Sequence, residues 1–397
     1  MDRMKVISGK VARGAFLAVG VPYGIAIITN IALGWPCSQQ GEDKYKRALN
    51  PSRVLKVSYA VAEQFTLVRF LPLNIKWSLL YRAGNKVVKD VKYGVNGNTL
   101  DVWTPYSSSN TYPEPTRPVM VFVYGGAWGS GDKAMYGLLA QEIMDNLGAL
   151  VVIPNYSIYP KGDVKEMIRD IHDTIAYIKS PSFHETFHDV DQNKIILFGH
   201  SAGAHLCAQS VIELAEGLLE RSASDQPADG IKVEERDGMT EADTSKLLDS
   251  SAFSPSELLS SIRGVVGVGG VYHIMDHYHH ESWRGVEDLS PMWRAMNGLE
   301  NFDHFSPTER VLKMSQQQIE RLPPIYLIHG TDDKVVPLSS TEKFSTTLTE
   351  RDADVTVRLI GEGGHAELIM DLMERGRKFY DVMVNLITLE FADKVFK

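Results

Sequence analysis

The run KIILFGHSAGAHLCAQSVIELAEGL, residues 194–218, joins a strand pattern to a helix pattern with almost nothing between them. A continuous apolar stretch of this kind reads as a strand buried on both faces, and the amphipathic stretch after it reads as a helix. Only Gly199-His200-Ser201-Ala202-Gly203 is left to make the turn. So tight a strand-to-helix turn tolerates only small residues two positions before and two after the serine. A chain built around such a unit belongs to the α/β class, with helices covering a mostly parallel sheet.

The rest of the chain continues the alternation. Strands are expected at 88–94, 99–105, 119–126, 149–156, 194–199, 264–270, 324–330 and 354–360, giving one eight-stranded sheet. Helices are expected at 133–147, 163–180, 202–219, 339–351 and 366–388, where parallel strands need crossovers. Residues 86–397 are thus the expected catalytic domain. Within it, 220–260 is polar and aromatic-poor, and is expected to be a flexible acidic insertion.

Ahead of this domain lies a different region, residues 1–85. Its stretch AFLAVGVPYGIAIITNIALGW carries no charge and is long enough to cross a bilayer, although Pro22, Thr29 and Asn30 weaken a spanning reading. A membrane anchor or interfacial helix is expected over 14–36, with a signal peptide and a soluble apolar arm as the alternatives. The segment FTLVRFLPLNIKWSLLYRAG, 65–84, suits either a membrane surface or docking on the core. A formal net charge of −9, with no basic stripe interleaved with aromatics, does not suggest a nucleic-acid binder, and no nucleic-acid partner is expected. Two cysteines far apart, Cys37 and Cys207, make neither a disulfide framework nor a Cys-based zinc site. Asn155-Tyr156-Ser157 is a glycosylation sequon directly after a buried strand, and reads as unused.

Ser201 is the expected nucleophile, and a serine hydroxyl needs a base to remove its proton. His200 would point away from it and His205 lies on the following helix. The chain order serine, acid, histidine places the base beyond a late strand, at His365 in GEGGHAEL. PIYLIHGTDDKVVP offers Asp332 and Asp333, and the fourth position of the loop selects Asp333 as the orienting carboxylate. His329, just before it, reads as a buried strand-end residue. Backbone N–H groups of Ala202, Gly125 and Gly126 are the candidate oxyanion donors. Residues 272–305 are expected to form a lid-like wall rich in aromatic and Met side chains. Candidate substrate contacts are Trp128, Tyr272, Trp283 and Trp293. His273, His277, His279 and His280 lack an HExxH companion, so no metal or other cofactor is expected.

VFVYGGAWGSGDKAMYG, GHSAGAHL, VYHIMDHYHHESWRG, FDHFSPTERV and LPPIYLIHGTDDKVVP together resemble the α/β-hydrolase superfamily over about 90–385. Within it they resemble the prenylcysteine (isoprenylcysteine) methylesterases. The resemblance implies a serine carboxylesterase that cleaves the methyl ester of a carboxyl-terminal prenylcysteine. It also implies association with the endoplasmic reticulum or Golgi membrane, the catalytic domain facing the cytosol. Tyr124 stands where related esterases commonly have His, so a role for that His is not carried over. Kynurenine formamidases are similar in the glycine loop and elbow, which makes an arylformamidase the rival enzyme, beside a general carboxylesterase or lipase. A catalytically silent binding protein on the same fold is the rival of another class.

Overall fold

The apolar runs become β1 (Val87–Tyr93), β2 (Asn98–Trp103), β3 (Arg117–Val123), β4 (Leu150–Pro154), β5 (Val190–His200), β6 (Ile262–Val268), β7 (Ile325–Gly330) and β8 (Val355–Ile360). They form one sheet in the order β1-β2-β4-β3-β5-β6-β7-β8. β2 runs antiparallel to both β1 and β4, and every other neighbouring pair is parallel. This computed structural model describes residues 19–34, 43–84, 86–104, 117–218 and 250–392. Cys37, residues 220–249 of the expected insertion and the first part of the apolar amino-terminal run lie outside them.

The principal helices are α1 (Asp43–Ala48), α2 (Pro51–Gln64), α3 (Leu71–Ala83), α4 (Gly137–Leu147), α5 (Val164–Ile178) and α6 (Ala202–Glu216). They continue with α7 (Pro255–Ser261), α8 (Ile274–Arg284), α9 (Pro307–Lys313), α10 (Leu338–Glu350), α11 (Glu367–Met370) and α12 (Tyr380–Asn385). The inner strands are apolar throughout, and Val119–Val123, Ile195–Phe198 and Val265–Val266 are closed to solvent. Both faces of the sheet centre are therefore covered, as parallel strands require. Register then decides where the loops emerge. Val123 pairs with Gly199, Gly199 with Gly267, and Gly267 with Leu327, so the loops after β3, β5, β6 and β7 leave the sheet along one edge.

Three expectations are corrected. The helix foreseen over 366–388 is α11, a 3-10 turn at Asp371–Met373, and α12 running into a π-helical turn at Leu386–Phe391. Gly376, at φ 85°, breaks it, which lets Leu372 and Met373 and then Phe379 and Met383 all reach the core. Residues 250–260 are not a flexible tail of the insertion. Ser254 and Glu257 form a reciprocal capping box that starts α7, Leu258 is fully buried, and the Ser250 N–H donates to the buried Asp173 carboxylate at 2.8 Å. Third, the wall foreseen in 272–305 is largely interior: Tyr272, Met292, Met296, Phe302 and Phe305 are each at most 1% exposed.

The amino-terminal helices dock on this body. Residues 19–29 are helical and pass into a π-helical turn, Asn30–Gly34. Ala26, Val54 and Val57 make a small separate core with Leu289 against it, while Phe70 and Leu73 join the main core. Arg53 binds the buried Glu287 at 2.8 Å and Asp288 at 2.7 Å; Arg47 pairs with the same two, and Arg284 reaches back to Glu63. Arg69 pairs with Glu367 and Lys76 with Glu374. Of the two readings of segment 65–84, docking on the core describes the inner side of α3, while Leu71, Ile75 and Leu79 stay more than half exposed on the outer side. No helix among the described residues is long and apolar enough to cross a membrane.

Candidate active site

β5 ends at His200 and α6 begins at Ala202, leaving Ser201 alone in the turn with φ 55° and ψ −122°. That conformation is costly for a residue with a side chain, and is retained only where the surroundings impose it. The Ser201 N–H donates to the Val268 carbonyl at 2.9 Å, fixing the turn to β6. The two flanking glycines are steric requirements. A Cβ on Gly203 would lie 2.0 Å from the Val123 carbonyl oxygen, and one on Gly199 2.5 Å from the Ala204 backbone.

Loops from three strands converge on the serine. His365 Nε2 lies 2.9 Å from Ser201 Oγ, and its Nδ1 lies 2.7 Å from Asp333 Oδ2. Asp333 Oδ1 accepts the N–H groups of Val335 and Val336, each at 2.9 Å. Burial alone would raise the Asp333 pKa. Electrostatic interaction with His365 and hydrogen bonds from His329 and His365 outweigh that and hold the carboxyl well below the usual range. An ionised Asp333 keeps the proton of His365 on Nδ1, leaving Nε2 free to accept the serine proton. An arrangement of this kind can turn a hydroxyl into a nucleophile toward a carbonyl carbon. Asp332 is exposed and its N–H donates to the Gly363 carbonyl at 3.0 Å, a turn position. His329 is fully buried, 2.7 Å from Thr341 Oγ1 and 3.1 Å from the Val336 carbonyl.

The glycine loop after β3 lies against the same serine. A Cβ on Gly125 would come 2.7 Å from the Ser201 Cβ, and Gly126 takes φ 135°. Neither the Gly125 nor the Gly126 N–H makes a backbone hydrogen bond among the described residues. Ala202, first in α6, likewise has an N–H that the helix cannot use. Tyr124 turns away from the site: its ring stacks between Tyr136 and Tyr156, and its hydroxyl donates to Asn155 Oδ1 at 2.8 Å. Asn155 Oδ1 also accepts the Lys133 N–H at 2.8 Å, and its Nδ2 donates to Asp132 Oδ2 at 3.0 Å. The sequon asparagine is thus an internal fastener of the glycine loop, a role that only partners distant in sequence reveal.

The aromatic candidates are placed differently. Trp128, 1% exposed, donates its Nε1–H to His205 Nδ1 at 3.2 Å. Tyr272 is equally buried and stacks on Phe344, centroids 4.6 Å apart, which makes it a packing residue. Trp283 is 68% exposed on α8, stacked on His280 with Lys56 over its ring. Trp293 is half-buried beside the Arg294 guanidinium. Among the histidines of 272–305, His273 faces Glu309, His277 faces Glu281, and His280 contacts the Lys334 carbonyl. No group of His, Cys, Asp or Glu among the described residues is arranged to hold a metal. Gly269, at φ 55°, escaped the sequence reading; a Cβ there would meet both Asp333 Oδ2 and His365 Nδ1 within 3.3 Å.

Sheet order, elbow and converging loops define an α/β-hydrolase of the carboxylesterase type. Solved esterases share the fold. That of Pyrobaculum calidifontis superposes with a TM-score of 0.55 at 15% identity, covering 82% of this chain and 90% of that one. Esterase B of Lactobacillus rhamnosis gives 0.53 at 17%, covering 85% and 96%. The chain belongs to the BD-FAE family, which matches residues 100–348. Among curated relatives, an isoprenylcysteine alpha-carbonyl methylesterase of Arabidopsis thaliana is 28% identical over 93% of this chain and 86% of its own. A probable one of Oryza sativa subsp. japonica is 29% identical over 82% and 70%. A kynurenine formamidase of Danio rerio is 35% identical, over 32% of this chain and 39% of its own.

Proposed function

We propose that the protein is a serine carboxylesterase acting on an apolar ester, the methyl ester of a carboxyl-terminal prenylcysteine. The observation that carries this reading is the hydrogen-bonded chain Ser201–His365–Asp333 at 2.9 and 2.7 Å. Ser201 Oγ attacks the ester carbonyl as His365 Nε2 takes its proton, and the N–H groups of Gly125, Gly126 and Ala202 meet the developing oxyanion. His365 returns the proton to the departing methoxide, releasing methanol. Water, deprotonated in turn by His365, then hydrolyses the acyl-enzyme to the free acid. No cofactor is required. The plant methylesterases that align over most of the chain support this substrate. A membrane surface is the place of work in this reading, at the endoplasmic reticulum or Golgi with the catalytic domain toward the cytosol. Residues 43–84 support it with eight Lys or Arg against two Asp or Glu, beside the exposed Leu71, Ile75 and Leu79.

One observation favours a second reading, arylformamidase: the local match to the zebrafish formamidase. Hydrolysis of a prenylcysteine methyl ester, a short p-nitrophenyl ester and N-formylkynurenine by wild type and Ser201→Ala separates them. Turnover of the prenylated ester lost in Ser201→Ala is the expected result. Preference for N-formylkynurenine promotes the formamidase, and a wild type inactive on all three removes the enzyme reading. Carbonate extraction tests attachment: release of the full-length protein removes the anchor over 14–36.

A further inference from the structure

Two histidines flank the nucleophile, and neither reaches its hydroxyl. His200 donates Nε2–H to the backbone carbonyl of His365 at 3.0 Å, its ring 4.9 Å from that of His365. On its other side it meets the glycine loop, where a Cβ on Gly125 would sit 3.2 Å from His200 Nδ1. His205, one turn into α6, accepts the Trp128 Nε1–H on Nδ1 at 3.2 Å and donates Nε2–H to the Phe305 carbonyl at 2.7 Å. Trp Nε1 can only donate and a carbonyl can only accept, so these partners dictate one neutral tautomer for His205 and a proton on Nε2 of His200.

Both tethers bind loops whose backbone takes unusual turns. Ala127 and Trp128 follow Gly126 with φ 50° and 59°, two successive side-chain-bearing residues in the left-handed region. Such backbone persists only where tertiary contacts over-determine it. Those contacts include the Trp128 side chain on His205 and the Trp128 carbonyl, which accepts the Tyr159 N–H at 2.8 Å, beside the Gly129 and Ser130 N–H groups on the Gly126 carbonyl. The loop bearing His365 leaves β8 through Gly361, Gly363 and Gly364, and His200 grips it at the main chain of His365 itself. We propose that His200 and His205 are positioning residues, tying the elbow respectively to the loop that carries the base and to the loop that carries the oxyanion donors. Serine, base and donors then move as one body, which a reaction sensitive to ångström displacements requires. This rests on the roles proposed above for Ser201, His365, Gly125 and Gly126. Burial pushes both imidazoles down, His200 to about 3 and His205 to about 4, which keeps the neutral forms that the tethers use.

The test measures kcat on a short p-nitrophenyl ester per serine titrated with a p-nitrophenyl phosphonate, a readout that loss of folded protein does not move. His200→Leu and Trp128→Phe, the latter removing the Nε1–H donor together with the five-membered ring of the indole, are expected to lower it about tenfold with KM within about twofold. His200→Gln, which keeps a donor near the Nε2 position, is expected to stay within about threefold of wild type. Unchanged kcat per titrated serine in His200→Leu and Trp128→Phe overturns the proposal, as does a His200→Gln as slow as His200→Leu. Should His200→Leu fail to fold, Trp128→Phe and His200→Gln carry the decision alone. A wild type that neither turns over the ester nor reacts with the phosphonate sinks the underlying esterase reading, whereas an active wild type with unaffected variants sinks only the tethers.

Discussion

Lys133 Nζ donates to Asp101 Oδ1 at 2.6 Å, with 3% and 0% of the two side chains exposed. The same ammonium reaches Asp90 Oδ1 at 2.6 Å. Burial by itself would lower the lysine pKa, but the hydrogen bonds it donates to the Asp101 and Asp90 carboxylates raise it above its ordinary value. Lys133 sits where the glycine loop enters its closing turn, so β1 and β2 secure that loop from beneath. Lys133→Met strands a buried carboxylate and is expected to cost about 3 kcal/mol in urea unfolding. The double variant Lys133→Met/Asp101→Leu is expected to recover most of that loss. A double variant as unstable as the single one contradicts this account.

Glycine substitutions should separate steric need from mere turn preference. Gly203→Ala drives a Cβ into the Val123 carbonyl, with backbone on both sides, and is expected to cost more than about 3 kcal/mol. Gly148 also takes a left-handed φ, 64°, but a Cβ there meets nothing within 4 Å. Gly148→Ala should cost about 1 kcal/mol. Melting temperatures of the two variants check the ranking.

The two aspartates of the acid loop should differ in kinetics far more than in stability. Under the proposed mechanism, Asp333→Asn lowers kcat by roughly 10³- to 10⁴-fold, because the wrong tautomer of His365 is then favoured. Asp332→Asn, at an exposed turn position, should leave kcat within about twofold. Equal losses would move the acid role away from Asp333.

Stability should rise with pH on the acid side of neutrality. Burial depresses several histidines, among them His172 to about 4, His200 to about 3 and His205 to about 4. The unfolded chain takes up protons on them below about 6.5 and the folded one does not, so stability falls as pH drops from about 6.5 toward 4. Asp170 works in the opposite sense. Burial pushes its pKa up to about 6, so stability falls as pH climbs from about 4 to 6. Three histidines outweigh one carboxyl. His172→Gln keeps a donor for the Ser210 carbonyl, 3.1 Å away, and should remove about 3 kcal/mol of the pH dependence between 4 and 6.5. Urea midpoints at several pH values check it, and a wild type of constant stability over this window refutes it.

The inner strands were legible because apolar runs buried on both faces leave a clear mark in sequence, and the edge strands β1 and β8 because apolar and polar residues mix along them. So was the geometry joining Ser201, His365 and Asp333, since strand order and tight turns confine where each can lie. Local patterns failed where partners are distant. Trp128 and Tyr272 look like substrate contacts in sequence and turn out as packing residues, because surface and interior aromatics share the same composition. His200 and His205 looked idle for the same reason: their partners lie 165, 77 and 100 positions away. The break in 366–388 hinged on a single glycine with no flanking proline.

The amino-terminal layer bears on how this chain can be shortened. Leu73 is fully buried in the main core, and Arg69 and Lys76 pair with Glu367 and Glu374, two and nine residues after His365. Cutting at residue 85 would open an apolar wound beside the loop that carries His365 and take from Glu287 its two arginines. A trimmed enzyme that keeps its working shape has to begin ahead of α1, and a homologue lacking this layer needs another cover for the same face.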